Sequence, residues 1–473
     1  MTLPHGFRVV LDDRTRILDE GRALLGGHPT RLLRLSPRAR TLLSGRELRV
    51  RDEAGAFLAD RLLDAGLAHP SPEPGTTDVR GDGPVCTYVV PVRDRPRQLD
   101  RLLASIPSGA PVVIVDDASR SPDHIARVAA RHGARLLLLP VNLGPAGARN
   151  AGLSLVTTPF VAFVDSDVVL SPTTVPTLLD CFADPRVALA APRIAGLDTG
   201  DTTGWLGRYE NARSSLDLGS RPAAVRSGTP VSWVPSACVV VRTDAFAAAA
   251  GFDARMRVGE DVDLCWRLER DGWRLRYEPT AQAAHEHRTR LTAWIRRKAF
   301  YGTGAHPIAK RHPGYAAPVV LAPWSAALLL ALLAQRRWSL PAAGVVCAVT
   351  TGRIAGKLRG TDRPWRHAVR LIANGGVVTL LQGGSLITRH WWPLAAVGCL
   401  ASSRLRRAAA VAAVADVVCE YRFGETGLDP LRYGIARRLD DLAYGAGVWY
   451  SAVKGRSTAA LRPSMRISGR RAC

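Results

Sequence analysis

The sequence predicts an α/β protein whose parallel-sheet core follows a small α+β module and precedes a basic, apolar helical region. Three observations predict it. Between residues 85 and 190, the apolar runs VCTYVVPV, APVVIVDD, ARLLLLP and TPFVAFVDSD each lead into a polar loop and a helical stretch, the alternation that builds a parallel sheet. The stretch SPEPGTTDVRGDGP at 71–84 has linker composition and sets that core apart from residues 1–70. Beyond residue 311, uncharged runs at 312–335, 338–352, 371–388 and 390–403 alternate with basic clusters.

Within residues 1–70, FRVVL and TRILD read as short strands. Ser36-Pro37 reads as an N-cap followed by proline at the first helical position, and a second helix over roughly Ala54 to Ala65 stops at Gly66. The expected module has winged-helix form. Such modules bind DNA or peptides, or pack against a neighbour, and mixed charge favours DNA least.

In the core, extending over 85–311, the carboxyl ends of the strands carry Arg93-Asp94-Arg95, Asp116-Asp117, Asn142 and Asp165-Ser166-Asp167. Ligands of open α/β sheets bind at such ends. In the last region, 312–473, the run 312–335 reaches the length of about 20 residues that spans a bilayer, although Pro313, Pro318 and Pro323 shorten its helix. The runs read as re-entrant or interfacial helices or short spans, with flanking arginines on the cytoplasmic side. An Ala-rich soluble helical domain is the alternative, and Trp391-Trp392 serves either an interfacial anchor or packing.

Charge divides the chain in the same way. Of 473 residues, 64 Lys+Arg oppose 41 Asp+Glu, a net of +23. Residues 288–473 hold 29 basic and 7 acidic side chains, a net of +22, which leaves 35 against 34 for residues 1–287. Basic excess first suggests nucleic acid or an anionic membrane. With no zinc spacing and no aromatic-basic interleaving, the sequence argues for the membrane and against nucleic acid. Eight scattered cysteines without C-x-x-C suit a reduced compartment. The opening MTLPHGFRVVLDDRTRILDE lacks the apolar segment of a secretory signal, so the catalytic part is expected at the cytoplasmic face of the cell membrane.

The chemistry centres on Asp165-Ser166-Asp167. A buried strand, VAFV, delivers two carboxylates one residue apart to its open end, and carboxylate oxygens suit Mg²⁺ or Mn²⁺ completed by phosphate oxygens. Asp116 and Asp117 end another strand, where an acid can accept from a nucleobase or ribose, or cap a helix. In NLGPAGARNAG, Gly144 and Gly147 allow close backbone approach, while Arg149 can meet phosphate or hold the acid pair. Glu260, Asp261 and Asp263 open a helix whose dipole favours acids, and one carboxylate there can act as general base toward an acceptor near Trp266 and Arg267. His285 is a candidate to complete the metal or phosphate site. Trp233, Ser236 and Cys238 are candidates for an acceptor pocket, with a core position for the tryptophan as the alternative.

Taken in order, VVPVRDR, IVDDAS, NLGPAGARNAG, FVDSD, VPSACVVVRTDAF and GEDVDLCWRLERDGWRLRY resemble the nucleotide-sugar-dependent glycosyltransferases of family two. The resemblance implies a Rossmann-like GT-A core and an inverting, metal-dependent hexosyl transfer. It assigns uracil contact to Asp117 with Asp116 beside it, nucleotide binding to Arg149, and base, sugar and metal contacts to Asp165 and Asp167. It makes Asp261 the catalytic base and carries Pro91, Arg93 and Asp94 into the donor site, although V-R-D-R departs from the family's Thr-Tyr-Asn-Arg type of loop. The N-terminal module, through RLSPRARTLL, is similar to peptide-chaperone domains, and with AWIRRKAFYGTGAHPIAKRHPG the whole resembles the mycofactocin-biosynthesis branch of the family. That branch implies a donor of UDP-glucose type and pre-mycofactocin, derived from the Val-Tyr end of a small peptide, as acceptor. A lipid or cell-wall glycan acceptor is the alternative, and a nucleic-acid-binding protein with a degenerate transferase core is the reading from a different class.

Overall fold

A computed structural model describes residues 2–71, 85–198, 200, 204–421 and 426–465. Apart from Ser71, the expected linker lies outside the described residues. The chain forms two units, Met1–Asp201 with Arg213–His287, and Thr202–Ala212 with Arg288–Cys473.

In the first unit, Ser36 accepts from the Ala39 amide at 3.2 Å and starts the helix Pro37–Leu42. Asp52 accepts from the Gly55 amide at 2.7 Å to cap Glu53–Asp64, whose apolar face packs on the strand Arg8–Leu11. The chain leaves that helix through Gly66 at φ +65°. Two antiparallel sheets complete this α+β module, one of four strands and one of three. Arg274 of the core ties the module down, with ion pairs of 2.8 Å to Asp60 and Asp64 and a third of 2.8 Å to Asp184. These 71 N-terminal residues therefore sit in the same unit as the sheet they precede.

The core sheet has nine strands. Its four predicted strands run parallel in the order Arg135–Leu138, Val112–Asp116, Cys86–Val92 and Phe160–Val164. Cys238–Arg242 then enters antiparallel, followed by Val187–Gly196, Arg274–His285 and Val168–Leu170, so the sheet as a whole is mixed. The four predicted strands are thus parallel as expected, and the sheet becomes mixed beyond them: Cys238–Arg242 and Val168–Leu170 pair antiparallel with their neighbours, while Val187–Gly196 and Arg274–His285, each preceded by a helix, pair parallel with one another. The order also reverses. Chain order runs outward from Cys86–Val92 to one side, while Phe160–Val164 lies on its other side, and such a switch point leaves a crevice at the carboxyl ends.

The second unit is helical. Leu291–Gly302 and Ala305–Arg311, expected to end the core at residue 311, belong here. The reason is close packing on Pro430–Lys454: a Cβ at Gly447 would fall 1.8 Å from the Ala299 carbonyl oxygen. Within the run 312–335 the helix is only Pro323–Ala334, 12 residues or about 18 Å, because Pro318 and Pro323 delay its start. Among the described residues one helix, Pro364–His390, is long and apolar enough by length and composition to cross a membrane, with mean hydropathy 1.3. Trp391 is a packing residue, donating to the Leu461 carbonyl at 2.8 Å.

Candidate active site

The crevice is lined by groups delivered from the strand ends and from one helix start. Phe160–Val164 is wholly buried and runs straight into Asp165, whose amide donates to the Ala237 carbonyl at 2.9 Å. Behind it lies Arg149, 1% exposed on the helix Gly144–Leu153. Arg149 pairs with Asp165 at 2.5 Å and with Glu260 at 3.4 Å, and its guanidinium stands 5.3 Å from the centroid of Phe252. Of the two roles open to Arg149, it therefore holds the acid pair from beneath. Arg149, to which the resemblance assigns nucleotide contact, is buried in this pairing.

The helix Glu260–Arg270 starts after Gly259 at φ +83°, a left-handed turn that glycine adopts without strain. It brings Glu260 and Asp261 to the same cluster. Burial first, then the negative charge of Glu260, raises the Asp261 carboxyl from 3.8 to about 7, against the opposing effects of the Val262 and Ser236 amides and Arg149. A carboxylate tuned near neutrality is suited to take a proton at physiological pH. Ser236 thus contributes through its backbone beside Asp261.

Asp167 sits on the other arm of the turn. Its Oδ2 is paired with Arg95, and its Oδ1 lies 3.6 Å from His285 Nε2. His285 is brought there by antiparallel pairing opposite Val168, and its Nδ1 is buried without a hydrogen-bond partner. Burial opposes ionisation of Asp167, yet His285 and Arg95 hold the carboxyl below its usual value. Among the described residues no group of three or more His, Cys, Asp and Glu side chains is arranged to hold a metal alone. Asp165, expected as a ligand, pairs through Oδ1 with Arg149. Asp167 and His285 offer an oxygen and a nitrogen donor that would fit part of the shell of Mg²⁺ or Mn²⁺, the other ligands coming from outside the protein.

At the neighbouring strand end the two acids divide their tasks. Asp117 accepts from the Leu143 amide at 2.6 Å and the Gly144 amide at 2.9 Å, so both its oxygens fix the loop before helix Gly144–Leu153. Asp116 accepts from the Ser119 amide at 2.9 Å, while its buried Oδ2 has no partner. Both oxygens of Asp117, which the resemblance assigns to uracil, are thus engaged, while Asp116 beside it retains an open acceptor. Gly144 adopts φ +77°, a conformation that would strain any other residue there. Asp94, also left-handed at φ +56°, accepts from the Arg120 amide at 2.8 Å and shapes the rim. Pro91 lies within the strand opposite Val115, Arg93 is exposed at its end, and Ser166 is buried within the turn.

Three acceptor candidates have structural positions. Cys238 lies opposite Val164 inside the hydrophobic core, where burial pushes its thiol up, so it lines no pocket. Arg267 pairs with Asp263 at 2.8 Å and donates to the carbonyls of Ala249 and Gly251, bracing a turn. The Trp266 indole donates to the Ser232 carbonyl at 2.8 Å. Trp233 is half-buried. Sequence reasoning placed Arg95 at the strand's open end without giving it a role, and passed over the pair Arg101–Glu286. The available signal was position: Arg95 stands at a strand's open end directly before Pro96 and a helix.

This fold and its acid-lined switch-point crevice define a glycosyltransferase with a GT-A-like α/β core. A family model described as "Glycosyltransferase like family 2" matches residues 84–299. Over 98% of its length the chain is 46% identical to the pre-mycofactocin glycosyltransferase of Mycobacterium tuberculosis, covering 99% of that relative. An uncharacterized glycosyltransferase of Mycobacterium bovis is 32% identical over 41% of this chain and 83% of its own. Among solved structures, a mannosyltransferase from Pyrobaculum calidifontis in complex with GDP-Man and Mn²⁺ has 18% identity and a TM-score of 0.38, covering 79% of this chain and 89% of its own. The chain belongs to the pre-mycofactocin glycosyltransferase family, within the family-2-like glycosyltransferases.

Proposed function

We propose that the protein transfers glucose from UDP-glucose to a hydroxyl of pre-mycofactocin, by a single displacement that inverts the anomeric centre and leaves a β-glycoside. The observation that supports this reading is the gathering of Asp261 with Glu260, Arg149 and Asp165 at the strand ends, where burial and Glu260 raise the Asp261 carboxyl to about 7. The near full-length relative supplies the acceptor. Asp261 takes the acceptor proton as the oxygen attacks C1 from the face opposite the diphosphate. Asp116 Oδ2 is the acceptor for a donor N–H of the uracil. Asp167 and His285 would hold a divalent cation, which stabilises the charge developing on the leaving diphosphate. Arg149 pairs with Asp165 and Glu260 beneath the site and fixes their positions.

The second unit supports attachment at the cytoplasmic face of the cell membrane. Its helices leave Leu340, Val377, Leu394, Val397, Leu400 and Val411 exposed on a chain segment with net charge +22. Apolar faces beside arginines suit a bilayer with anionic headgroups. The same surface favours a second reading, a lipid-linked or cell-wall glycan as acceptor.

The test is incubation of the full chain with a panel of UDP-sugars, with Mn²⁺ or Mg²⁺, and with pre-mycofactocin or a polyprenyl-linked glycan, read by mass spectrometry. UDP-glucose with pre-mycofactocin is expected to give the hexosylated product. Transfer only to the lipid-linked acceptor would replace the first reading by the second. Asp261→Asn should retain UDP binding and lose at least ~100-fold in turnover, the range of general-base loss. Full turnover with weakened donor binding would remove Asp261 from the base role.

A further inference from the structure

The helix Pro96–Leu103 begins at the open end of the strand Cys86–Val92, with Arg95 at its N-cap. From there Arg95 pairs with Oδ2 of Asp167, while His285 faces Oδ1 of the same carboxylate at 3.6 Å. Further along the helix, Arg101 pairs with Glu286, whose amide donates to the Asp167 carbonyl at 3.1 Å. One helix therefore brackets the turn that carries Asp165 and Asp167. Its two arginines act on different groups: Arg101 holds the backbone that ends at His285, and Arg95 holds the carboxylate itself.

Arg95 differs from Arg149 in freedom. The Arg149 side chain is 2% exposed and the Arg95 side chain 37%. A buried pair is costly to open, because it strands a charge away from water. On separation water solvates Arg95, whereas the Asp167 side chain, 15% exposed, needs another cation in its place. Arg95 can therefore leave Asp167 when a divalent cation takes its place, whereas Arg149, leaving Asp165, would stay buried with its own charge.

Resting on the reading that Asp167 holds the donor's cation, we propose that Arg95 is a positioning residue that occupies Asp167 until the donor binds, so that the divalent cation enters with the diphosphate and is disfavoured alone. The physical reason is competition at one carboxylate. A cation at Oδ2 displaces the guanidinium and is repelled by it at short range. A diphosphate relieves both effects, because its oxygens accept the guanidinium fork while they complete the coordination of the cation. The donor and its cation thereby become mutually dependent ligands, each binding more tightly in the presence of the other.

Binding of Mn²⁺ to the full chain, read by electron paramagnetic resonance of free Mn²⁺ with and without UDP, tests this without turnover. The wild-type protein is expected to bind Mn²⁺ at least ~10-fold more tightly with UDP than without it. Arg95→Gln should raise the affinity for Mn²⁺ alone at least ~10-fold and flatten the UDP dependence. Arg95→Lys keeps the charge and should bind Mn²⁺ alone as weakly as the wild type. Asp167→Asn should abolish site binding in every background. Unchanged Mn²⁺ affinity in Arg95→Gln, with the Asp167 dependence intact, overturns the role of Arg95 and leaves the metal reading standing. Arg95→Lys binding Mn²⁺ as tightly as Arg95→Gln overturns the charge competition. Binding of Mn²⁺ with UDP that survives Asp167→Asn overturns the metal reading and this inference with it.

Discussion

Both units of the chain bury ionic groups, but they do so with opposite surfaces. In the first unit, with residues 1–287 carrying a net charge of only +1, apolar strands fill the centre and the ionic cluster of Arg149, Asp165, Glu260 and Asp261 lines a crevice. In the second, apolar side chains such as Leu400 stay exposed at 85%, and the ionic groups lie inside. There Lys298 meets Glu210 at 2.9 Å and Asp440 at 3.2 Å, Arg389 meets Asp441 at 2.9 Å, and Arg437 meets Asp416 at 3.1 Å as well as Asp441. The difference teaches what makes buried charge chemical. The second unit's acids have basic partners among their own helices, which hold the bundle together. In the first unit one acid, Asp261, keeps a raised affinity for its proton because burial disfavours its charge and Glu260 beside it has the same sign.

The strongest way to break this contrast is to remove one central cation from each unit. Arg149→Met leaves Asp165 and Glu260 without their buried partner, and Lys298→Met does the same to Glu210 and Asp440. Each should cost about 3–5 kcal/mol in urea unfolding followed in mild detergent. The functional consequences should separate. Arg149→Met is expected to abolish transfer, whereas the folded fraction of Lys298→Met should retain the wild-type pH profile. An altered pH profile in Lys298→Met would erase the distinction between the units.

Titration sharpens it next. The folded protein retains the Asp261 proton up to about pH 7, against 3.8 for the ordinary carboxyl. As pH rises through that window the folded state loses the advantage of binding this proton, so Asp261 contributes less stability at pH 8 than at pH 4. The same ionisation creates the base, and kcat/KM should climb about tenfold per pH unit below 7 and level off above. Glu260→Gln removes the like charge and should move that limb to lower pH. A limb that stays in place would assign the raised value to burial alone.

The smallest effect is expected on the exposed face of the second unit. Leu400→Gln should alter stability by no more than about 0.5 kcal/mol, as for an ordinary surface position. Partition onto vesicles containing anionic lipid should nevertheless fall, measured by sedimentation. Unchanged partition would detach this face from the membrane.

Much of the site was legible because strand ends are legible. An apolar run followed by acids marks the edge at which a parallel sheet presents polar groups, and Asp116, Asp117, Asp165, Asp167 and Asp261 were all found by that logic or by the resemblance. Their division of labour was not. Adjacent acids such as Asp116 and Asp117 are the same residue type in the same local pattern, and only the amides of Leu143 and Gly144, brought back by the following strand and loop, decide which one keeps an open oxygen. Cys238 illustrates the opposite error, since a cysteine beside a tryptophan reads as pocket until strand pairing puts it against Val164.

By itself, then, the sequence determined the alternation of strands and helices, the capped helices of the N-terminal module, the acids at the strand ends and the confinement of +22 of the net charge to residues 288–473. These follow from local pattern and composition, which need no knowledge of distant neighbours. Tertiary structure decided the mixed order of the sheet, the burial of Arg149 between Asp165 and Glu260, the meeting of Asp167 with His285 and Arg95, and the raised proton affinity of Asp261. Each of these depends on groups far apart in the chain, where desolvation and Coulomb interactions are set by distance in space rather than along the sequence.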